Sequence, residues 1–179
     1  MTESFSIRLA TTADTAAIAA TMEASITELQ RSFLTPAQIA VSRAVMGLDQ
    51  QLIADGTYYL VEKGDRLAGS GGWSRRATLY GGDHSISLRD PRLLDPATGP
   101  ARIRAMYTHP DFARQGVGTM VLETCEAAAV ENGFHRFELM ATLSGQPLYE
   151  ACGYRAIERT ESTPVDEVSV PLIRMGKSA

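Results

Sequence analysis

One segment of the chain joins a strand pattern to a helical pattern through a loop with two closely spaced glycines. The alternation over residues 103–107 predicts a strand, and His109-Pro110-Asp111 interrupts it. Gly116 and Gly118 then precede a helix, whose first N–H groups are unpaired and whose dipole favours negative charge. Because glycine lets a pyrophosphate approach the backbone closely, this segment predicts a site for a phosphorylated cofactor.

Strand and helix patterns alternate along the rest of the chain. Strands are predicted at residues 5–9, 57–61, 66–73, 134–141 and 154–159, and helices after Thr11 or Thr12, at 36–56, from about 116 to 132, and at 147–151. The polar turn at residues 62–65 indicates a hairpin. These patterns predict an α/β (α+β) fold with a mixed sheet. Since neither a repeat nor a linker interrupts them, a single domain over residues 1–179 is expected.

Two segments leave alternatives open. A last strand at residues 167–173 would contain Pro171, which lacks a ladder N–H, so we expect it at a sheet edge. Residues 79–100 are irregular and rich in glycine and proline, which is typical both of a binding loop or lid and of a surface insertion.

Composition excludes several function classes. A net charge of −4 argues against a general nucleic-acid binder, which is usually basic. The sequence shows neither a secretory signal pattern nor an apolar run of membrane-spanning length. Cys125 and Cys152 form neither a disulfide framework nor a metal-binding spacing. We therefore expect a cytoplasmic protein that binds neither membranes nor a metal.

Two motifs, in this order, resemble the GNAT superfamily of N-acetyltransferases. Residues 108–118 (THPDFARQGVG) are similar to its acetyl-CoA loop, Arg/Gln-x-x-Gly-x-Gly/Ala, and residues 148–154 (LYEACGY) to its Leu-Tyr-Glu-x-x-Gly-Phe motif. The opening IRLATTAD at residues 7–14 also resembles that family's first strand and helix entry. The sequence departs from the pattern at Ala113, where the family has Arg or Gln and Arg114 follows one place later, and at Thr142, where it often has Asn.

The resemblance implies a mostly antiparallel, GNAT-like central sheet that is flanked by helices and has splayed central strands. It also implies direct attack of a primary amine on acetyl-CoA, with Tyr149 as the candidate general acid on the CoA thiolate. The acceptor would be a small-molecule or peptide amine, and a homodimer is possible. The implied cofactor contacts are Met106, Tyr107, Thr108, Arg114, Gln115, Gly116, Val117, Gly118, Thr119 and Thr142.

The general base and the competing functions stay open at this stage. Glu138, His84 and His109 are candidates for the base, and the sequence assigns none of them. A dinucleotide site is disfavoured because Val121 stands at its third glycine position, and a P-loop lacks its Gly-Lys-Ser/Thr. The main alternative is a catalytically inactive acetyl-CoA-binding module with a regulatory or sensor role.

Overall fold

A computed structural model describes residues 3–179, which form seven strands and five α-helices. The strands are β1 (Phe5–Leu9), β2 (Tyr58–Lys63), β3 (Arg66–Ser74), β4 (Ala101–Thr108), β5 (Arg136–Thr142), β6 (Arg155–Glu161) and β7 (Pro171–Ser178). The helices are α1 (Thr15–Leu29), α2 (Pro36–Val45), α3 (Gln50–Ala54), α4 (Val117–Glu131) and α5 (Gln146–Ala151). All seven strands belong to one sheet, in the order β1-β2-β3-β4-β5-β7-β6.

The sheet is mixed and mostly antiparallel, as predicted. Its single parallel pair within residues 3–179 is β4 with β5, and helix α4 provides the connection that parallel strands require. The predicted hairpin is also confirmed: β2 and β3 pair antiparallel around a turn at Gly64 and Asp65.

Helix α4 packs directly against β3, and two glycines of that strand permit the close approach. A Cβ atom on Gly69 would lie 2.5 Å from Val117 Cγ1, and one on Gly71 would lie 2.7 Å from Val121 Cγ1. Val117 and Val121 are fully buried there, in the main core cluster. Glycine in this strand therefore fixes the position of the helix that follows the glycine loop.

The prediction of a single helix over residues 36–56 is wrong, because the chain forms two helices there. Thr35 begins α2 as predicted, with its side chain accepting a hydrogen bond from Gln38 N. Met46 is extended, however, and Asp49 begins α3 by accepting from Gln51 N at 3.1 Å. The break is held by a distant strand, since Tyr107 of β4 hydrogen-bonds to the backbone of Gly47.

The expected edge position of the last strand is also wrong. β7 begins at Pro171, lies between β5 and β6, and pairs antiparallel with both. Proline is tolerated because it is the first residue of the strand, where no ladder N–H is needed. The edge on this side of the sheet is formed by β6, which is exposed along nearly its whole length.

Residues 75–100 pass over the helices α2 and α3 and are fixed to them by side chains. Arg76 pairs at 2.8 Å with Asp55, the residue that follows α3, and Ser85 donates to the carbonyl of Ala44 in α2 at 3.0 Å. Among the helices of residues 3–179, none has the length and apolar character needed to cross a bilayer.

Candidate active site

The central feature of the site is a gap between β4 and β5. The two strands pair only at residues 101 and 102 of β4 with 137 and 138 of β5. Beyond these pairs they diverge, which leaves backbone groups of β4 without ladder partners on that side. The splayed central strands expected from the sequence are therefore present.

A β-bulge in β4 lies beside this gap. Tyr107 pairs with Ser70 and Arg104 pairs with Gly72, so that Ala105 and Met106 lie opposite a single residue of β3. Ala105 has a φ of 51°, in the left-handed region that residues other than glycine rarely adopt. Bulges of this kind bend a strand and are frequent beside active sites.

The gap opens into a groove of about 610 Å³ between α4, α5 and the end of α1. Every cofactor contact expected from the sequence, except Gln115, lines this groove: Met106, Tyr107, Thr108, Arg114, Gly116, Val117, Gly118, Thr119 and Thr142. The side chain of Gln115 turns back and donates to the carbonyl of Asp111 at 3.0 Å. The sequence did not predict the wall of the groove opposite the glycine loop's helix. This wall includes Gln30 and Phe33, near the end of α1.

The glycine loop forms one end of the groove. Gly116 caps the N-terminus of α4 with a φ of 84°, and a Cβ atom there would have no neighbour within 4 Å. A Cβ atom on Gly118, by contrast, would lie 2.6 Å from Leu148 Cδ2. The first glycine therefore provides the turn and an open approach to the backbone, and the second allows α5 to pack against α4.

Tyr149 of α5 lies where the groove deepens into the gap. Its side chain is 7% exposed, and its ring packs edge-on against Tyr154 at 6.0 Å. Its hydroxyl forms no hydrogen bond with another residue of 3–179, and the residue is part of the groove lining. Burial raises the pKa of Tyr149 well above its usual value, so the phenol keeps its proton at neutral pH.

Behind Tyr149 lies an inner cavity of about 80 Å³. It adjoins the groove, because both are lined by Met46, Met106, Tyr107, Thr142 and Tyr149. Residues 79–81 of the irregular segment form one wall of this cavity. Of the segment 79–100, only these three residues line the cavity or the groove, so its role as a binding loop or a surface insertion stays open.

A buried ion pair supports the wall of the cavity. Arg104 Nη2 donates to Asp49 Oδ2 at 2.7 Å and to the carbonyl of Gly81 at 2.6 Å. Arg89 adds a second ion pair to Asp49 at 3.0 Å. Burial is the largest influence on the guanidinium and lowers the pKa of Arg104. The sequence did not predict this ion pair. Its only signal there is Arg104, a charged residue within the alternating pattern of residues 103–107.

The three residues considered as the general base lie elsewhere. Glu138 is paired with Arg102 at 2.6 Å and with Arg174 at 2.7 Å. His84 Nε2 lies 2.9 Å from the carbonyl of Arg43. His109 Nδ1 accepts from the backbone N–H of Asp111 at 3.2 Å, a structural role in the turn. None of the three lines the groove or the cavity, so the base stays unassigned.

Comparison with known families gives one sequence match. The model of the acetyltransferase (GNAT) family matches residues 23–154, which include the glycine loop, β5 and α5. A search of curated proteins finds no match.

Solved structures share the fold over nearly the whole chain. A GCN5-related N-acetyltransferase of Rhodopseudomonas palustris superposes with a TM-score of 0.71 at 19% identity, covering 100% of this chain and 98% of its own. PaiA N-acetyltransferase of Thermoplasma acidophilum, in complex with coenzyme A, has a TM-score of 0.66 at 12% identity, covering 98% and 99%. YncA of Salmonella typhimurium, with its cofactor acetyl-CoA, has a TM-score of 0.63 at 18% identity, covering 97% and 93%.

Proposed function

The chain belongs to the acetyltransferase (GNAT) family, and on this basis we propose that it transfers the acetyl group of acetyl-CoA to a primary amine. The observation that carries the proposal is the position of Tyr149. Tyr149, whose phenol is protonated at neutral pH, lines both the groove that contains the glycine loop and a cavity that can receive a second substrate.

The groove has the features that coenzyme A requires. Its volume of about 610 Å³ is typical of small-molecule sites. The unpaired edge of β4 near Met106 and Thr108 would hydrogen-bond the pantetheine arm as an added strand does. The N–H groups of Gly116, Gly118 and Thr119 would receive the pyrophosphate at the start of α4, with the Arg114 guanidinium as an additional cationic donor.

The chemistry would proceed by direct attack. The amine nitrogen attacks the thioester carbonyl carbon, a C–N bond forms and the C–S bond breaks. An N–H group near Tyr107, beside the bulge, would stabilise the charge that develops on the carbonyl oxygen. The Tyr149 hydroxyl donates its proton to the departing sulfur, and solvent receives the proton that the amine loses and returns one to the phenolate.

The test compares Tyr149→Phe with Tyr154→Phe as a matched control. Tyr154 is also buried, but its hydroxyl donates to Glu126 Oε1 at 2.9 Å and does not line the groove. We expect Tyr149→Phe to lower kcat about 10²- to 10³-fold with little change in acetyl-CoA affinity, and Tyr154→Phe to retain activity. The measurements are CoA thiol release and acetyl-amine formation over a panel of amines.

The same assay separates the enzyme from the alternative, a binding module. Tight acetyl-CoA binding, with no transfer to any amine and no effect of Tyr149→Phe, would identify a module that keeps the cleft without catalysis. Equal loss of activity in the two tyrosine variants would instead contradict a special role for Tyr149.

A further inference from the structure

We propose that the acceptor is a monoamine with a compact apolar substituent, and that this substituent occupies the inner cavity behind Tyr149. The inference rests on the proposed acetyl transfer and names the substrate class of the same site. It follows from the walls of the cavity, from the hydrogen bonding of the polar groups in those walls, and from the cavity's size.

The walls beyond the junction contain a group of apolar residues beside Arg104 and Tyr80. Their side chains come from the end of α2, the irregular segment, and strands β4, β5 and β7: Val45, Leu79, Ile103, Leu139, Met140 and Leu172. An alkyl group gains free energy when it leaves water for such surroundings, whereas a charged group without a partner loses several kcal/mol. Met140 adds a flexible thioether that adapts to the shape of an apolar ligand.

Two of the polar side chains in these walls, those of Arg104 and Tyr107, already have partners within the protein. The guanidinium of Arg104 donates to Asp49, to the carbonyl of Gly81 and, at 3.3 Å, to the carbonyl of Thr78. The hydroxyl of Tyr107 accepts from Gly47 N at 3.1 Å. A second ammonium or a carboxylate on the acceptor would therefore have to compete with these buried bonds for its counter-charge.

The cavity has a small volume, and the part of its wall at residues 79–81 is held by hydrogen bonds on either side. Its volume of about 80 Å³ is well below the roughly 150 Å³ of an apolar cavity that takes up benzene, so a chain of a few carbon atoms suits it. The wall at residues 79–81 is held by Arg104 from one side. From the other side, Asp83 accepts hydrogen bonds from Gln50 N at 3.1 and 3.3 Å.

Three acceptors with the same four-carbon frame test the charge preference: butylamine, 1,4-diaminobutane and 4-aminobutanoate. The measurement is kcat/KM for each with saturating acetyl-CoA. We expect butylamine to exceed both others by at least about tenfold, because their second charge would be buried without a partner. Equal or better use of the diamine or the amino acid would overturn the proposal.

A pair of isosteric variants tests the location. Met140→Glu places a carboxylate in the cavity wall, and Met140→Gln has the same shape without the charge. We expect the ratio of kcat/KM for 1,4-diaminobutane over butylamine to rise about tenfold or more in Met140→Glu and to stay near the wild-type ratio in Met140→Gln. An unchanged ratio in Met140→Glu, with the melting temperature retained, would overturn the assignment of the cavity.

If a variant fails to fold, kcat/KM of the wild-type protein for the three acceptors still tests the apolar acceptor. Acetylation of a peptide or aminoglycoside amine, with none of butylamine, would refute the apolar acceptor while leaving the acetyl transfer intact. Failure of the proposed function looks different, since acetyl-CoA would then bind without transfer to any amine.

Discussion

At the scale of single residues, Gly116 combines two properties that the site needs. Its φ of 84° lies in the region where a side chain is strained, and the space around its Cα is open. Gly56 has the same combination at the end of α3, with a φ of 70° and nothing within 4 Å of an added Cβ. The two glycines therefore have nearly the same backbone conformation and the same free space around an added Cβ. They differ in where they lie in the fold.

This similarity allows the backbone cost of a substitution to be separated from its effect on the cofactor. We expect Gly116→Ala and Gly56→Ala each to lower the free energy of unfolding by about 1 kcal/mol, because alanine is strained at positive φ. Only Gly116→Ala should also weaken acetyl-CoA binding. Urea unfolding and calorimetric titration with acetyl-CoA measure the two effects, and equal acetyl-CoA affinities would show that the cradle lies elsewhere.

That the motif residues line one groove could be predicted, because the motifs depend on short spacing along the chain. Gly116 and Gly118 mark a turn and a close approach in any sequence context, and Leu148-Tyr149-Glu150 is a local pattern. The pair of Asp49 with Arg104 could not be predicted in this way. Its members are 55 positions apart, and only the tertiary structure brings them together.

At the scale of elements, the contact between β3 and α4 determines where the glycine loop can be. Gly69 is enclosed on two sides, since its added Cβ would lie 2.5 Å from Val117 Cγ1 and 2.9 Å from the carbonyl oxygen of Tyr107. Val117 is the first residue of α4. A side chain at position 69 would therefore push against Val117 and displace the start of α4, next to the glycine loop.

We expect Gly69→Ala to lower the free energy of unfolding by about 1–3 kcal/mol through overpacking, and to weaken acetyl-CoA binding as α4 shifts. Gly99→Ala is the control, because its added Cβ would meet its nearest neighbour, the carbonyl oxygen of Asp95, at 3.3 Å in a half-buried bend, a milder contact than at Gly69. Its effect should stay within about 0.5 kcal/mol. Denaturant unfolding measures both, and a neutral Gly69→Ala would mean that the helix tolerates a wider spacing.

Most elements could be predicted from the sequence because their signals are local. Thr35 with Gln38 begins α2 in a capping box, and Asn132-Gly133 ends α4. The break between α2 and α3 was missed because contacts with β4 impose it. The position of β7 was missed because strand order depends on pairing across the sheet, which the composition of one strand does not encode.

At the scale of the whole molecule, four tyrosines share a buried state. Tyr58, Tyr107, Tyr149 and Tyr154 are each no more than 7% exposed, and burial is the first cause that raises the pKa of each above the usual value of about 10. Their native states therefore retain protons that the unfolded chain loses. The stabilisation is fully present below pH 10 and is lost as the pH rises above it.

We expect the free energy of unfolding to fall steeply above about pH 10, by up to roughly 1.4 kcal/mol per pH unit for each of the four tyrosines. Urea unfolding at increasing pH measures this slope, and tyrosinate absorbance should appear together with loss of secondary structure. Replacing Tyr154 by Phe should reduce the slope by one tyrosine's share. Tyrosinate that forms in the folded protein at an ordinary pKa would contradict the expectation.

Because of the gap between β4 and β5, we expect the protein's lifetime to depend on its acetyl-CoA supply. The two half-sheets meet through only two residue pairs, and a molecule that bonds to the free edge of β4 supplies attractions that the fold itself lacks. By mass action, a ligand present at a hundred times its dissociation constant stabilises the native state by about 2.7 kcal/mol. A cell that runs short of acetyl-CoA would then lose the protein faster to proteolysis, so its abundance would follow the supply of activated acetyl groups.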